Sequence, residues 1–187
     1  PQQIGQEISA LFRLMFRVYD TFGFQQPTIY FSTRPEKAIG DPGLWVHAER
    51  TLEQCLGEQK VEFVLNPGEG AFYGPKIDFV VHDAIGREWQ LGTIQLDFVL
   101  PGRFDLSYVA EDGSEQRPVM IHRAVMGSIE RFFGVMLEHF AGDLPLWRAP
   151  EQVRVLPVSD RFLEAARKVQ AALSEAERNF ADPAIAT

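Results

Sequence analysis

A chain of 187 residues, 45% of them hydrophobic, is long enough for one domain, or one domain with an appendage, around a sizeable core. Lysine and arginine number 18 against 26 aspartates and glutamates, and the resulting formal charge of −8 excludes a free-standing nucleic-acid binder that works by bulk electrostatics; any RNA contact must be local. The single cysteine, Cys55, rules out an intramolecular disulfide framework, and no run of about 18 apolar residues marks a membrane span, so the expected compartment is the cytosol.

The chain opens on Pro1 rather than methionine, without a charged and then apolar leader, and reads as cut. Ile4, Ile8, Leu11, Phe12, Met15, Val18, Tyr19 and Phe22 recur at helical spacing, which predicts a core helix stopped at Gly23. Thr28 to Thr33 is β-branched and aromatic, predicting a strand broken by Arg34-Pro35. Asp41-Pro42 then supplies an N-cap and a first-turn proline for a second helix, running to about Leu56 and stopped by Gly57. Cys55 lies near its end. With no basic or metal-ligand neighbour spaced to activate it, it reads as a small buried hydrophobe.

Val61 to Leu65 predicts a short strand, followed by the densest glycine cluster in the protein, from Pro67 to Lys76. Gly68, Gly70 and Gly74 allow the backbone to approach a ligand and take positive φ, presenting Tyr73 and Lys76. A tight glycine turn with an exposed tyrosine and lysine is the plainer alternative. A phosphate-binding P-loop is rejected, because Lys76 follows Pro75 and no Gly-Lys-Ser/Thr is present.

Ile77 to His82 and Glu88 to Val99 predict two strands of an antiparallel hairpin around D-A-I-G-R. Strict alternation puts Gln90, Gly92, Ile94, Leu96 and Phe98 on one face of the second strand, and Trp89, Leu91, Thr93, Gln95 and Asp97 on the other. Each face then mixes polar with apolar. Two glutamines and a threonine on a central strand require partners if buried, which a floor binding a polar substrate would supply; a solvated sheet face is the alternative.

Phe104 to Val109 reads as a turn or short helix, and Asp112-Gly113 as a turn. From Arg117 to Arg123 the pattern is that of a strand, and from about Gly127 it becomes helical, through Ile129, Phe132, Phe133, Met136, Leu137 and Phe140. This join puts Ser128 and Arg131 in the helix's first turn, where free N–H groups and the positive dipole end favour anions and a guanidinium can hold a phosphate bidentately. Taken alone, Glu130 and Arg131 are more often a solvated face. Gly142 ends the helix, L-P-L-W-R-A-P reads as a linker with a boundary near residue 150, Gln152 to Val158 as a strand, and Phe162 to Ala176 as a helix.

The strand-to-helix join resembles motif 3 of the class II aminoacyl-tRNA synthetases. G-E-G-A-F-Y-G-P-K-I-D-F (68–79), W-Q-L-G-T-I-Q-L-D-F (89–98), F-D-L-S-Y-V-A-E-D-G-S (104–114) and R-P-V-M-I-H-R-A (117–124) follow in the order found in threonyl-tRNA synthetases. The resemblance spans about residues 1–160. It implies an α+β fold, a partial class II antiparallel sheet flanked by helices over 1–148, then over 149–187 a linker and the first strand and helix of an α/β anticodon-binding domain. The tail from Glu177 no longer resembles that domain.

Such enzymes join an amino acid to magnesium-bound ATP, release pyrophosphate and pass the acyl group to tRNA. The resemblance implies that Arg131 holds the ATP γ-phosphate, Ser128 lines the adenylate pocket, and Gln90 and Thr93 sit at the nucleotide and tRNA-acceptor end. Tyr73 and Gln95, with Thr93, would surround threonine, and Lys76 would lie near the reacting carboxylate and α-phosphate. His122 corresponds to one of three zinc ligands, a metal that demands the substrate hydroxyl where shape alone rejects valine by only about a hundredfold. A homodimer is expected of the full enzyme.

Motif 1, the motif 2 arginine and the other two zinc ligands have no counterpart in this sequence. His47, His82, His139 and Cys55 form no substitute triad, so zinc is expected to bind weakly and the chain to be inactive alone. A non-catalytic nucleotide-binding or partner-binding module derived from such a synthetase is the alternative.

Overall fold

The computed structural model describes residues 3–180; Pro1, Gln2 and the tail beyond 180 lie outside them, and of Glu177–Phe180 only the backbone is described. The helical stripe near the start becomes α1 (Ile4–Thr21), which buries Ile4, Ile8, Phe12, Met15 and Tyr19. Gly23, at φ +68°, turns the chain away. The strand β1 (Thr28–Ser32) follows, then α2 (Pro42–Gln59), whose Asp41 carboxylate accepts the Gly43 N–H at 2.7 Å. This helix does not stop at Gly57. A glycine inside a helix costs only about 1 kcal/mol, and α2 continues until Lys60 takes the left-handed conformation, φ 54°.

A five-stranded sheet in the order β2-β1-β3-β4-β7 forms the centre, built from β1 with β2 (Val64–Asn66), β3 (Lys76–His82), β4 (Glu88–Asp97) and β7 (Met120–Ala124). Every pairing is antiparallel except β1 with β2. The two helices cover one face. There Phe79 meets the rings of Phe12, Phe16 and Tyr19, with centroids 5.3 to 6.4 Å apart. Gly92 makes room for α1, since a Cβ in its place would stand 2.4 Å from Tyr19 Oη.

Strict alternation along β4 fails at one point. Phe79 opposes Gly92 but Val80 opposes Gln90, so Leu91 is left without a partner in a β-bulge. The slip moves Gln90 from the face of Gly92, Ile94 and Leu96 to that of Thr93, Gln95 and Asp97. The mixed faces expected from the sequence are thereby largely sorted into an apolar and a polar side.

Between β4 and β7 the short helix is α3 (Leu100–Arg103), earlier than expected, and Tyr108–Val109 (β5) pairs with Glu115–Gln116 (β6) across the Asp112-Gly113 turn. Arg117 and Pro118 do not join β7. The proline has no N–H for the ladder, and the Arg117 guanidinium instead grips the Pro101 and Leu106 carbonyls and Asp105. The helix α4 (Ile129–Phe140) buries Phe132, Val135 and Met136, while Ile129, Phe133 and Leu137 of the predicted stripe are exposed. Phe132 seats it on Phe22 and Phe24.

The chain divides into two compact units, one up to Gly142 and one from Asp143. The second holds α5 (Leu163–Phe180), preceded by one-turn helices at Leu146–Arg148 and Asp160–Phe162. No strand forms over Gln152–Val158. A lone strand leaves its backbone groups unpaired, and no neighbouring strand exists among the described residues of this unit.

Candidate functional site

Opposite α1 and α2, the sheet's second face carries chemistry-bearing side chains in rows. Ser32 opposes Lys76, Lys76 opposes Gln95, and Gln95 opposes His122, a row across four strands. The next row runs through Tyr30, Asp78, Thr93 and Ala124, and the bulge brings Gln90 to the same side beside Val80. Lys76, Gln90, Thr93, Gln95 and His122, which the sequence singled out on three strands, therefore share one surface.

The glycine loop delivers Tyr73 to that surface. Its close approaches are to the protein's own backbone: a Cβ at Gly70 would meet the Thr33 carbonyl oxygen at 2.5 Å, and one at Gly74 the Leu96 carbonyl oxygen at 2.1 Å. Pressed against β4, the loop lets the Tyr73 hydroxyl donate to Gln95 Oε1 and lays the Tyr73 ring 5.0 Å from that of His122. Burial, and after it the charge of Asp97, pushes the Tyr73 hydroxyl pKa upward, so it remains a proton donor.

Two buried carboxylates organise the polar face, and the sequence reading gave neither of them a role. Asp97, fully buried, takes the Val99 and Leu100 N–H groups on Oδ1 at 2.8 and 2.9 Å and lies 3.0 Å from His122 Nε2 through Oδ2. That pairing puts the imidazole proton on Nε2 and leaves Nδ1 as the acceptor. Asp78 takes Gln90 Nε2 and Thr93 Oγ1 on Oδ1, at 2.6 and 2.9 Å, and Lys76 Nζ on Oδ2 at 2.8 Å. The available signal was an aspartate set among apolar strand residues, I-D-F and L-D-F, where a buried charge demands partners.

The start of α4 sits beside this face. Gly127, at φ +64°, comes so near the bulge that a Cβ there would lie 3.4 Å from the Leu91 carbonyl oxygen. Ser128 caps the helix, its hydroxyl accepting the Arg131 N–H at 3.1 Å. Arg131 itself is exposed and forms no ion pair among the described residues.

For zinc, the donor set is incomplete. His122 offers Nδ1, with Asp97 orienting the ring as metal-bound imidazoles are commonly oriented. No group of three His, Cys, Asp or Glu side chains able to hold a metal occurs among the described residues. Cys55 is buried in α2, His82 pairs with Glu88 and His139 with the Gly23 carbonyl. A cleft of about 1110 Å³ between α1 and segments 25–29 and 59–64 is lined by none of the site residues.

Residues 1–140 match the family model of the class II tRNA synthetase core domain, described for the G, H, P, S and T enzymes. The chain is 52% identical over 168 residues to a threonine–tRNA ligase of Alkalilimnicola ehrlichii, covering 90% of this chain and 26% of that protein. It is 53% identical over 176 residues to one of Symbiobacterium thermophilum, covering 94% and 27%. It thus spans about a quarter of the length of the curated relatives it matches. A crystal structure of the RNA binding domain of threonyl-tRNA synthetase from Cryptosporidium parvum Iowa II superposes with a TM-score of 0.88 at 42% identity, over 94% of this chain and 44% of that one.

Proposed function

The chain belongs to the class II tRNA synthetase core family, and from that premise we propose that it forms the substrate floor of a threonine–tRNA ligase. The observation that carries this reading is the polar row of Lys76, Gln95 and His122, with Tyr73 hydrogen-bonded above it. Such a floor suits a small zwitterion with a hydroxyl, and the exposed Arg131 beside a helix N-terminus suits a polyphosphate.

Tyr73 and Gln95, with Thr93, surround threonine, while Gln90 and Ser128 line the nucleotide pocket and Arg131 grips the γ-phosphate of magnesium-bound ATP. A threonine carboxylate oxygen attacks the α-phosphorus, the bond to the bridging oxygen breaks, and pyrophosphate departs. The Lys76 ammonium, held at the start of β3, offsets charge at the reacting carboxylate and α-phosphate. Transfer to the terminal ribose of tRNA(Thr) follows. A zinc ion would supply recognition of the substrate's amino and hydroxyl groups, and this chain contributes to it His122 Nδ1 alone. The helix α5 would begin the anticodon-binding domain, and the whole enzyme would be a cytoplasmic homodimer.

Because no group of three metal donors occurs among the described residues and the motif 2 arginine has no counterpart in this sequence, the chain is expected to be silent by itself in threonine-dependent ATP–pyrophosphate exchange. Addition of the upstream part of the Alkalilimnicola ehrlichii relative, with zinc, should restore exchange. Turnover by the chain alone would overturn the incompleteness, and silence of the mixture would overturn the catalytic reading. The exposed, unpaired Arg131 favours one second reading, a nucleotide-binding module without chemistry. It predicts ATP affinity lost in Arg131→Ala and kept in His122→Ala, with exchange absent throughout.

A further inference from the structure

Asp78 has no role in the reaction as set out above, yet three of the residues assigned there converge on its carboxylate. It is 5% exposed, and it receives Gln90 Nε2 at 2.6 Å, Thr93 Oγ1 at 2.9 Å and Lys76 Nζ at 2.8 Å, with Ser32 Oγ at 3.4 Å. Gln90 Nε2 also donates to Thr93 Oγ1 at 2.9 Å, so both amide hydrogens are spent inside the network. The Gln90 amide can turn only one way while the carboxylate is there. Its nitrogen faces the floor, and its carbonyl oxygen is left as the outward acceptor.

We propose that Asp78 is the positioning residue of the site, fixing Lys76, Gln90 and Thr93 in one array and setting Gln90 to accept rather than donate toward the nucleotide. The inference rests on the substrate-floor reading above. Two features separate it from a bland buried ion pair. A single lysine would satisfy the charge, whereas here each carboxylate oxygen has its own set of partners. The bulge at Leu91, which breaks the ladder, is what swings Gln90 into reach.

The isosteric Asp78→Asn keeps one carbonyl acceptor but removes the charge and turns the other oxygen into an amide donor among the donors it had ordered. In the chain combined with its upstream part, kcat for ATP–pyrophosphate exchange should fall by about a hundredfold, the scale of a 1 Å misplacement, with KM for threonine raised by a smaller factor, because of the three side chains placed around threonine only Thr93 belongs to the network. Asp78→Glu should recover a large part of the loss. In the chain alone, the Gln90 side-chain amide signals in a ¹H–¹⁵N spectrum should shift and exchange faster in Asp78→Asn. The core variant Leu52→Ala, chosen for a comparable loss of Tm, should leave kcat per folded molecule unchanged. An unchanged kcat per folded molecule in Asp78→Asn, or unmoved Gln90 signals, would overturn the proposal. If the unsubstituted mixture itself is silent, the substrate-floor reading fails and the catalytic half of the inference with it, while the Gln90 signals still decide whether Asp78 orders the array.

Discussion

Gly74→Ala tests how the loop bearing Tyr73 is held. The φ of Gly74 lies outside the left-handed region, so the substitution adds one methyl group without backbone strain of its own. That methyl would stand 2.1 Å from the Leu96 carbonyl oxygen and 3.1 Å from its carbon, against about 3.3 Å for the shortest ordinary carbon–oxygen approach. Loop and strand must part by about 1 Å, stretching the 3.1 Å hydrogen bond from Leu96 N to the Pro75 carbonyl. Overpacking costs about 1–3 kcal/mol and the strained hydrogen bond about 1 more. At 2–4 °C per kcal/mol for a chain of this size, Tm should fall by roughly 5–15 °C. The same displacement moves the Tyr73 hydroxyl off Gln95, so exchange activity of the combined enzyme should fall by about a hundredfold. Differential scanning calorimetry and the exchange assay read the two effects. Gly57→Ala, a helical site with nothing within 4 Å of the new carbon, is the control; it should gain about 0.5–1 kcal/mol. A Tm change under 2 °C in Gly74→Ala, with activity intact, would refute the tight seating of the loop on β4.

Asp97→Asn should keep a carbonyl for the Val99 and Leu100 N–H groups but face His122 Nε2 with a donor, releasing the ring; loss of about 1–3 kcal/mol and a changed His122 side-chain signal, by urea melts and NMR, are the expected results. In Asp83, burial raises the carboxyl pKa, but hydrogen bonds from Trp89, from the Arg87 side chain and from the Arg87 and Ile85 N–H groups outweigh it and hold the pKa well below the usual carboxylate range. A depressed folded-state pKa means stability that is complete above the ordinary carboxylate value and lost as pH falls below about 4. Thermal melts from pH 6 to 3 should therefore decline less steeply for Asp83→Asn than for the unsubstituted chain, and equal slopes would contradict the assignment.

Helical periodicity made α1 legible, because the buried stripe of Ile4, Ile8, Phe12, Met15 and Tyr19 follows from the 3.6-residue repeat alone. The Asp41-Pro42 start of α2 was equally plain, since the cap and the proline act locally. Its end was not, because a glycine in a helix is only a modest cost and Leu56 just before it is buried. The bulge at Leu91 has no local marker: it depends on how β3 and β4 meet, and a one-residue slip reverses the face of Gln90. Segment 152–158 has a strand's composition but no neighbour among the described residues to complete one, which a propensity argument does not register. Of the candidate site, the residues that share the polar sheet face had been singled out by type and motif. The partners of Asp78 and Asp97 were not legible, because they appear only when side chains distant in sequence converge.

Gly92 and Tyr19 tie the buried helix to the site face. Tyr19 reaches past the bare backbone of Gly92 and donates to the Val125 carbonyl at 2.9 Å, in the segment that connects His122 to the helix of Arg131. A side chain at position 92 would occupy the path of the phenol, so the two positions cannot change independently. Substitutions in α1 that displace this phenol would reach the segment before Arg131 through a single hydroxyl. Sequence variation in the core is thereby constrained by the course of the segment that leads to Arg131 as well as by packing.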